Sequence, residues 1–304
     1  MAEGIMYAWF ALTALSVAFV VIDIPKTPES GVLKWAFVIL VIFTGPLGAF
    51  FYVLGCREPL KGTHAEYVSV RWRQVLGSTM HCAAGDGLGI FAGAVIGAVM
   101  HLSPWSDLGL EYLLGFSFGW GYFQAFAMKD MVGGSYTRSL KETFIPELLS
   151  MNLLMAGMVP TMRFLMPRIE GANDPTTPAF WFVMSMALIV GFALAYPMNW
   201  WLVARNMKHG MLTIGPEGGG HSGHAPEPAP EPTPEPAPEH GAGHASVGGH
   251  EASGHEASGH EAGGHEAGGH EAGERPGSGT VLAMSGLSFA IFFAGLWLAG
   301  GFFG

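Results

Sequence analysis

The sequence is poor in charge. Only 12% of its 304 residues are Asp, Glu, Lys or Arg, while 50% are hydrophobic. Soluble domains carry about a quarter charged residues, so an ordinary soluble fold is excluded. Basic residues are scarcer than acidic ones, 14 against 24. A net charge of −10 gives no basic surface for nucleic acid. Two cysteines, Cys56 and Cys82, make no disulfide framework. Met1–Glu3 carries no basic residue and no A-x-A site follows, so a signal peptide is not expected. No nucleophile–base arrangement or complete catalytic motif is present, so an enzyme is not expected either.

What charge there is lies unevenly. Residues 215–279 hold eleven Glu, one Arg and nine of the thirteen His. The rest of the chain holds thirteen basic and thirteen acidic residues. The chain therefore joins a neutral, very apolar body to a short acidic, His-rich segment.

A membrane span needs about 20 mostly apolar residues. Seven stretches qualify: Gly4–Ile22, Trp35–Leu54, Leu76–Leu102, Leu108–Met128, Phe144–Leu165, Ala179–Val203 and Val281–Phe303. The expected fold is an all-α integral membrane protein of about seven transmembrane helices. Residues 1–214 form a six-helix core, 215–279 a linker, and 280–304 a C-terminal helix. The lipid bilayer is the first partner. With seven spans, ten Lys and Arg fall on one side and four on the other. The excess puts the N-terminus and the His-rich segment in the cytoplasm.

Within the linker, residues 226–238 read PEPAPEPTPEPAP. Alternate prolines favour a stiff polyproline spacer of roughly 40 Å. A five-residue repeat follows, beginning at His250, His255, His260, His265 and His270. That period fits neither helix nor strand and offers no apolar face, so disorder is expected. Imidazole is a common ligand for zinc, copper and nickel, and such tracts read as metal-binding. A low-complexity linker that binds metal only incidentally is the plainer alternative.

Ionisable groups inside a span are costly and mark an interior or a cavity. Asp86 lies in the third span, roughly 15 Å deep by helical rise. Cys82 and Asp86 are about 40° apart on a helix and share a face, with His81 about 100° from Cys82. Imidazole, thiol and carboxylate suit a transition metal. The same string, rich in glycine at 85, 87 and 89, also suits a packing seam. Glu147, Met151, Met155 and Met158 recur on one face of the fifth span, a stripe that fits either Cu(I) or core filling. Pro197 precedes Asn199 in the sixth span and can free backbone oxygens. Candidate metal ligands are thus His81, Cys82, Asp86, Glu147 and Asn199, beside the five repeat histidines. The ion is copper or zinc, and no organic cofactor is implied.

Three strings carry a resemblance: Cys56-Arg-Glu-Pro59, Thr79-x-His81-Cys82-x-x-Gly85-Asp86-x-x-Gly89, and Tyr196-Pro-x-Asn199-Trp-Trp201. Together they resemble the bacterial membrane family called domain of unknown function 4396, over roughly residues 50–212. The resemblance implies a polytopic inner-membrane protein and no settled activity. The His-rich insert and last helix look like additions to the family core.

Two functions follow as expectations. One is a transporter or permease for a transition-metal cation, with the His-rich arm as a buffer. The other is a non-catalytic accessory or assembly subunit of a membrane metalloprotein complex.

Overall fold

The computed structural model describes residues 2–58, 60, 63–126, 129, 134–210 and 275–301. The five repeat histidines and almost all of the His-rich segment lie outside these residues. The described residues are helical, with no strand among them. Five helical stretches are long and apolar enough to cross a membrane: Glu3–Lys26, Arg71–Val99, Tyr136–Arg168, Pro178–Ala204 and Ser278–Gly300.

The helices are α1 (Ala2–Asp23), α2 (Gly31–Thr44), α3 (Pro46–Cys56), α4 (His64–Ser69), α5 (Arg71–Val99), α6 (Pro104–Phe116), α7 (Tyr136–Leu165), α8 (Pro178–Ala204) and α9 (Ser278–Gly301). A π-helical segment, Ser117–Phe126, continues α6. The most apolar windows of α5, α7 and α8 are mostly buried and form the interior. Those of α1 and α9 are 11% buried, so both helices present apolar flanks outward. Apolar side chains on such flanks suit lipid rather than water.

The expected second span is not one helix. Gly45 takes φ +58° between α2 and α3, a conformation cheap only for glycine. Pro46 lacks the N–H that would continue the ladder and starts α3 instead. The two short helices fold into a hairpin. Its tip, Gly45, faces Trp9 and Thr13 near the middle of α1. Its open end returns to the end of α1. There Tyr52 donates to Asp23 Oδ2 (3.1 Å) and Arg57 Nε lies 3.2 Å from the same oxygen. At that same end Cys56 Sγ donates to Glu29 Oε1 (3.3 Å), and His64 Nε2 sits 3.0 Å from it. The hairpin enters and leaves the bundle by one end.

The expected fourth span also changes character midway, from α-helix to π-helix at Ser117. α5 and α6 run antiparallel at close range. A Cβ on Gly89 would strike the Leu114 carbonyl, and one on Gly93 would lie 2.8 Å from Glu111 Cα. Of the three glycines read in the sequence as a seam, Gly89 lies on this contact, while Gly85 meets Phe123 and Gly87 meets Leu188. α7 and α8 meet at Gly157 and Gly191. α9 is tied to α7 by Asn152 Nδ2, which donates to Ser288 Oγ (3.1 Å). Met151, Met155 and Met158 are fully buried among apolar side chains, as core filling.

Candidate functional site

α5 and α7 carry the centre of the site. Cys82 and Asp86, four residues apart, face inward on α5 as helical spacing requires and are buried. Glu147 follows Pro146 on α7 and is fully buried. Pro146 cannot donate to the Glu142 carbonyl, which opens the helix just before Glu147. Cys82 Sγ donates to Glu147 Oε2 (3.4 Å), and Gln124 Nε2 from the π-helical segment donates to Cys82 Sγ (2.8 Å).

Asp86 and Glu147 converge on Gly119. A Cβ at Gly119 would collide with Asp86 Oδ1 and sit 2.7 Å from Glu147 Oε1. Only a glycine leaves room for both carboxyl groups. Both Asp86 oxygens and Glu147 Oε1 are buried and accept no hydrogen bond from the described residues. Buried polar atoms in this condition are rare and mark a working site more often than a packing error.

The third member comes from beyond α8. Asn206 takes φ +52°. Its N–H bonds the Val203 carbonyl (3.2 Å), and Met207 N–H bonds Leu202 O (2.9 Å). These two bonds make a Schellman cap, with Asn206 as the left-handed residue. The cap reverses the chain and returns Lys208 into the bundle. Lys208 Nζ stands 2.6 Å from Cys82 Sγ and 3.3 Å from Glu147 Oε2. Burial alone would lower the Lys208 pKa, but Cys82 and Glu147 outweigh it and the net shift is upward.

Two of the expected ligands stand apart. His81 is buried with neither ring nitrogen hydrogen-bonded within the described residues, and its ring meets Phe123 edge-on. Asn199 Nδ2 donates to Ser150 Oγ (2.9 Å) and to Ala195 O (3.1 Å), which ties α8 to α7. Among the described residues no group of three or more His, Cys, Asp and Glu is arranged to hold a metal ion. Lys208 Nζ stands beside two of these groups, Cys82 Sγ and Glu147 Oε2.

A cavity of about 260 Å³ leads toward this cluster. Gln124 and Lys208 line it, with Glu142 and Pro146 from α7 and His209 and Arg275 at either end of the His-rich segment. Burial, together with the positive Arg275, lowers the His209 pKa, and Glu142 opposes them. Lys208 and Gln124 thus touch both the cavity and Cys82. Lys208 escaped the sequence reading because it lies four residues past a span and counts there as loop charge. The left-handed preference of Asn206 was the available signal.

No curated protein and no solved structure matches this chain. Residues 71–208 match the family described as Domain of unknown function (DUF4396). That stretch runs from the first residue of α5 to Lys208, so it contains every side chain of the Cys82–Glu147–Lys208 cluster. It leaves out α1, the α2–α3 hairpin with Cys56, and α9. Residues 71–208 are therefore the part of this chain that is similar to that family of unknown function.

Proposed function

We propose that the chain is a membrane transporter or permease whose cargo is a transition-metal cation, copper or zinc. The observation that carries the reading is the pair of buried carboxyl groups, Asp86 and Glu147, that converge over Gly119 beside the Cys82 sulfur. Carboxylate and thiol oxygen and sulfur donors suit a borderline ion. Lys208 acts as an internal cation that holds the place and leaves when cargo arrives. The π-helical segment breaks the α-helical run that follows α6 beside a site near mid-depth, a feature of the pattern expected of transporters, while α7 and α8 run unbroken through their prolines.

The arrangement in the bilayer follows the hairpin. We take α1, α5, α6 with its π-helical continuation, α7, α8 and α9 as six crossings, and α2–α3 as a re-entrant pair. The connections at the Cys56 end then gather all but two of the 14 Lys and Arg, leaving Arg163 and Arg168 opposite. An excess of that size supports our assignment of the Cys56 end and the His-rich segment to the cytoplasmic side of a bacterial inner membrane. The N-terminus then faces outward, opposite to the assignment from seven straight spans. The His-rich segment, residues 215–279, serves as a buffer for the ion.

The test is accumulation of zinc or copper by cells or proteoliposomes carrying Asp86→Asn. The variant should insert normally and accumulate no metal. Unchanged accumulation would remove the buried pair from the pathway. Deleting 215–279 should alter sensitivity to the metal more than the core rate.

A further inference from the structure

The cavity that reaches Lys208 is basic, unlike the acids behind it. Arg275 lines it from an exposed position and Lys208 from a buried one. Glu142 is the one acid among the described lining residues. It is already held from outside the cavity, with Arg138 Nε 2.8 Å from Glu142 Oε1. Arginine stays protonated in proteins, so Arg275 brings a fixed positive charge. No acid among the described residues pairs with it.

The lining also has hydrogen-bond donors to spare. An ammonium carries three N–H groups. Lys208 uses two among the described residues, on Cys82 Sγ and Glu147 Oε2. Gln124 Nε2 carries two N–H groups and gives one to Cys82. Burial and Arg275 hold the His209 pKa down, so His209 adds a ring N–H and no charge. Size limits what these donors can meet. The cavity measures about 260 Å³, whereas drug-sized ligands occupy roughly 300–1,000 Å³. The occupant is therefore small. A guanidinium fork matches the paired oxygens of a carboxylate or phosphate, and an ammonium adds a point charge.

We infer that this cavity is a binding site for a small oxyanion bearing phosphate or carboxylate oxygens. Arg275 holds it at the exposed end, and the spare donors of Lys208 and Gln124 hold it at the buried end. The site is separate from the carboxyl pair at Gly119 and needs no metal to fill. An oxyanion seated there offsets the positive lining that a cation would otherwise meet on its way to Asp86 and Glu147. The two readings are therefore compatible, and neither depends on the other.

The experiment is calorimetric titration of the metal-free full chain in detergent at constant ionic strength, with chloride as the background anion. Inorganic phosphate is the probe in one arm and malonate in the other. The pH is held at about 8, above the ordinary imidazole pKa near 6.5, so the His-rich arm adds no positive imidazole. One equivalent should bind with a Kd at or below about 1 mM in at least one arm. Binding of phosphate alone identifies a tetrahedral occupant, and binding of malonate alone a carboxylate. Arg275→Gln, a change at an exposed residue, should weaken binding tenfold or more. Arg205→Gln removes an exposed charge that does not line the cavity and should leave the Kd within twofold. The double variant Lys208→Met, Glu147→Gln, checked for insertion and unfolding temperature, should lose the site. No saturable binding in either arm up to several millimolar overturns the inference. So does equal weakening by Arg205→Gln and Arg275→Gln, which would mark the binding as general surface charge. Either failure leaves the cation reading to its own test at Asp86.

Discussion

Lys208 Nζ and Glu147 Oε2 lie 3.3 Å apart inside the bundle, with 4% and 0% of their side chains exposed. They come from elements 61 residues apart in sequence. The ammonium crosses from the mouth of the cavity to the central acids because a helix cap turns the chain back at Asn206. A surface ion pair of this length would contribute little. Here neither group has water as an alternative, so each depends on the other.

Removing one partner alone should therefore be severe. Lys208→Met leaves Glu147 charged and unpaired, a change that costs about 3–5 kcal/mol at buried sites. The unfolding temperature in detergent should fall accordingly. Pairing it with Glu147→Gln removes the stranded charge and should recover most of the loss. A double variant as unstable as Lys208→Met would mean that the pair is not what the lysine stabilises.

Gly119 offers a sharper probe of the carboxyl pair. Ala at 119 places a methyl group against Asp86 Oδ1 and Glu147 Oε1. Overpacking of this kind costs roughly 1–3 kcal/mol, and the two acids must separate. The neighbouring Gly121 is the control, since a Cβ there meets only Tyr136 Oη at 3.8 Å. Cation accumulation should be lost in Gly119→Ala and kept in Gly121→Ala, measured at matched membrane levels.

The cap can be tested without touching the site. Asn206→Gly keeps the left-handed turn and should leave stability and cation handling near those of the parent. Asn206→Val forces a β-branched residue to positive φ, at a cost of about 1–2 kcal/mol. The strain would loosen the hold on Lys208. Faster thiol labelling of Cys82 from the cavity, in Asn206→Val but not Asn206→Gly, is the expected signature.

The acidic half of this site was legible in the sequence. Asp86 and Glu147 stand out because a carboxyl group in an apolar span needs a reason, and helical spacing put Cys82 beside Asp86. The cation was not legible, because its position depends on one left-handed residue and a chain reversal. His81 and Asn199 make no hydrogen bond to Cys82, Asp86 or Glu147 among the described residues. A polar residue beside a site in sequence can point to Phe123 or satisfy Ser150 instead. The hairpin hid in plain view. Residues 35–54 are apolar without interruption by charge, so length alone suggested one span. The Gly45-Pro46 dipeptide is a turn signal, and in an apolar run it marked where the chain doubles back.

That hairpin makes the last prediction. Were residues 31–56 a single crossing, Thr27 and Thr63 would face opposite sides of the membrane. As a hairpin with its open end at Asp23 and Glu29, both face the same side. Cysteine placed singly at Thr27 or Thr63, in a Cys56→Ala background, should react with an impermeant maleimide only after access to the cytoplasm is opened. Cysteine at exposed Thr176, in the turn before α8, should react in intact cells. An N-terminal tag should be accessible from outside as well. Labelling of Thr27→Cys from outside together with Thr63→Cys from inside would restore the straight span and return the N-terminus to the cytoplasm. The contacts at Asp23 argue against that outcome, because Tyr52 and Arg57 could not both reach its carboxylate from the far side of a bilayer roughly 30 Å thick.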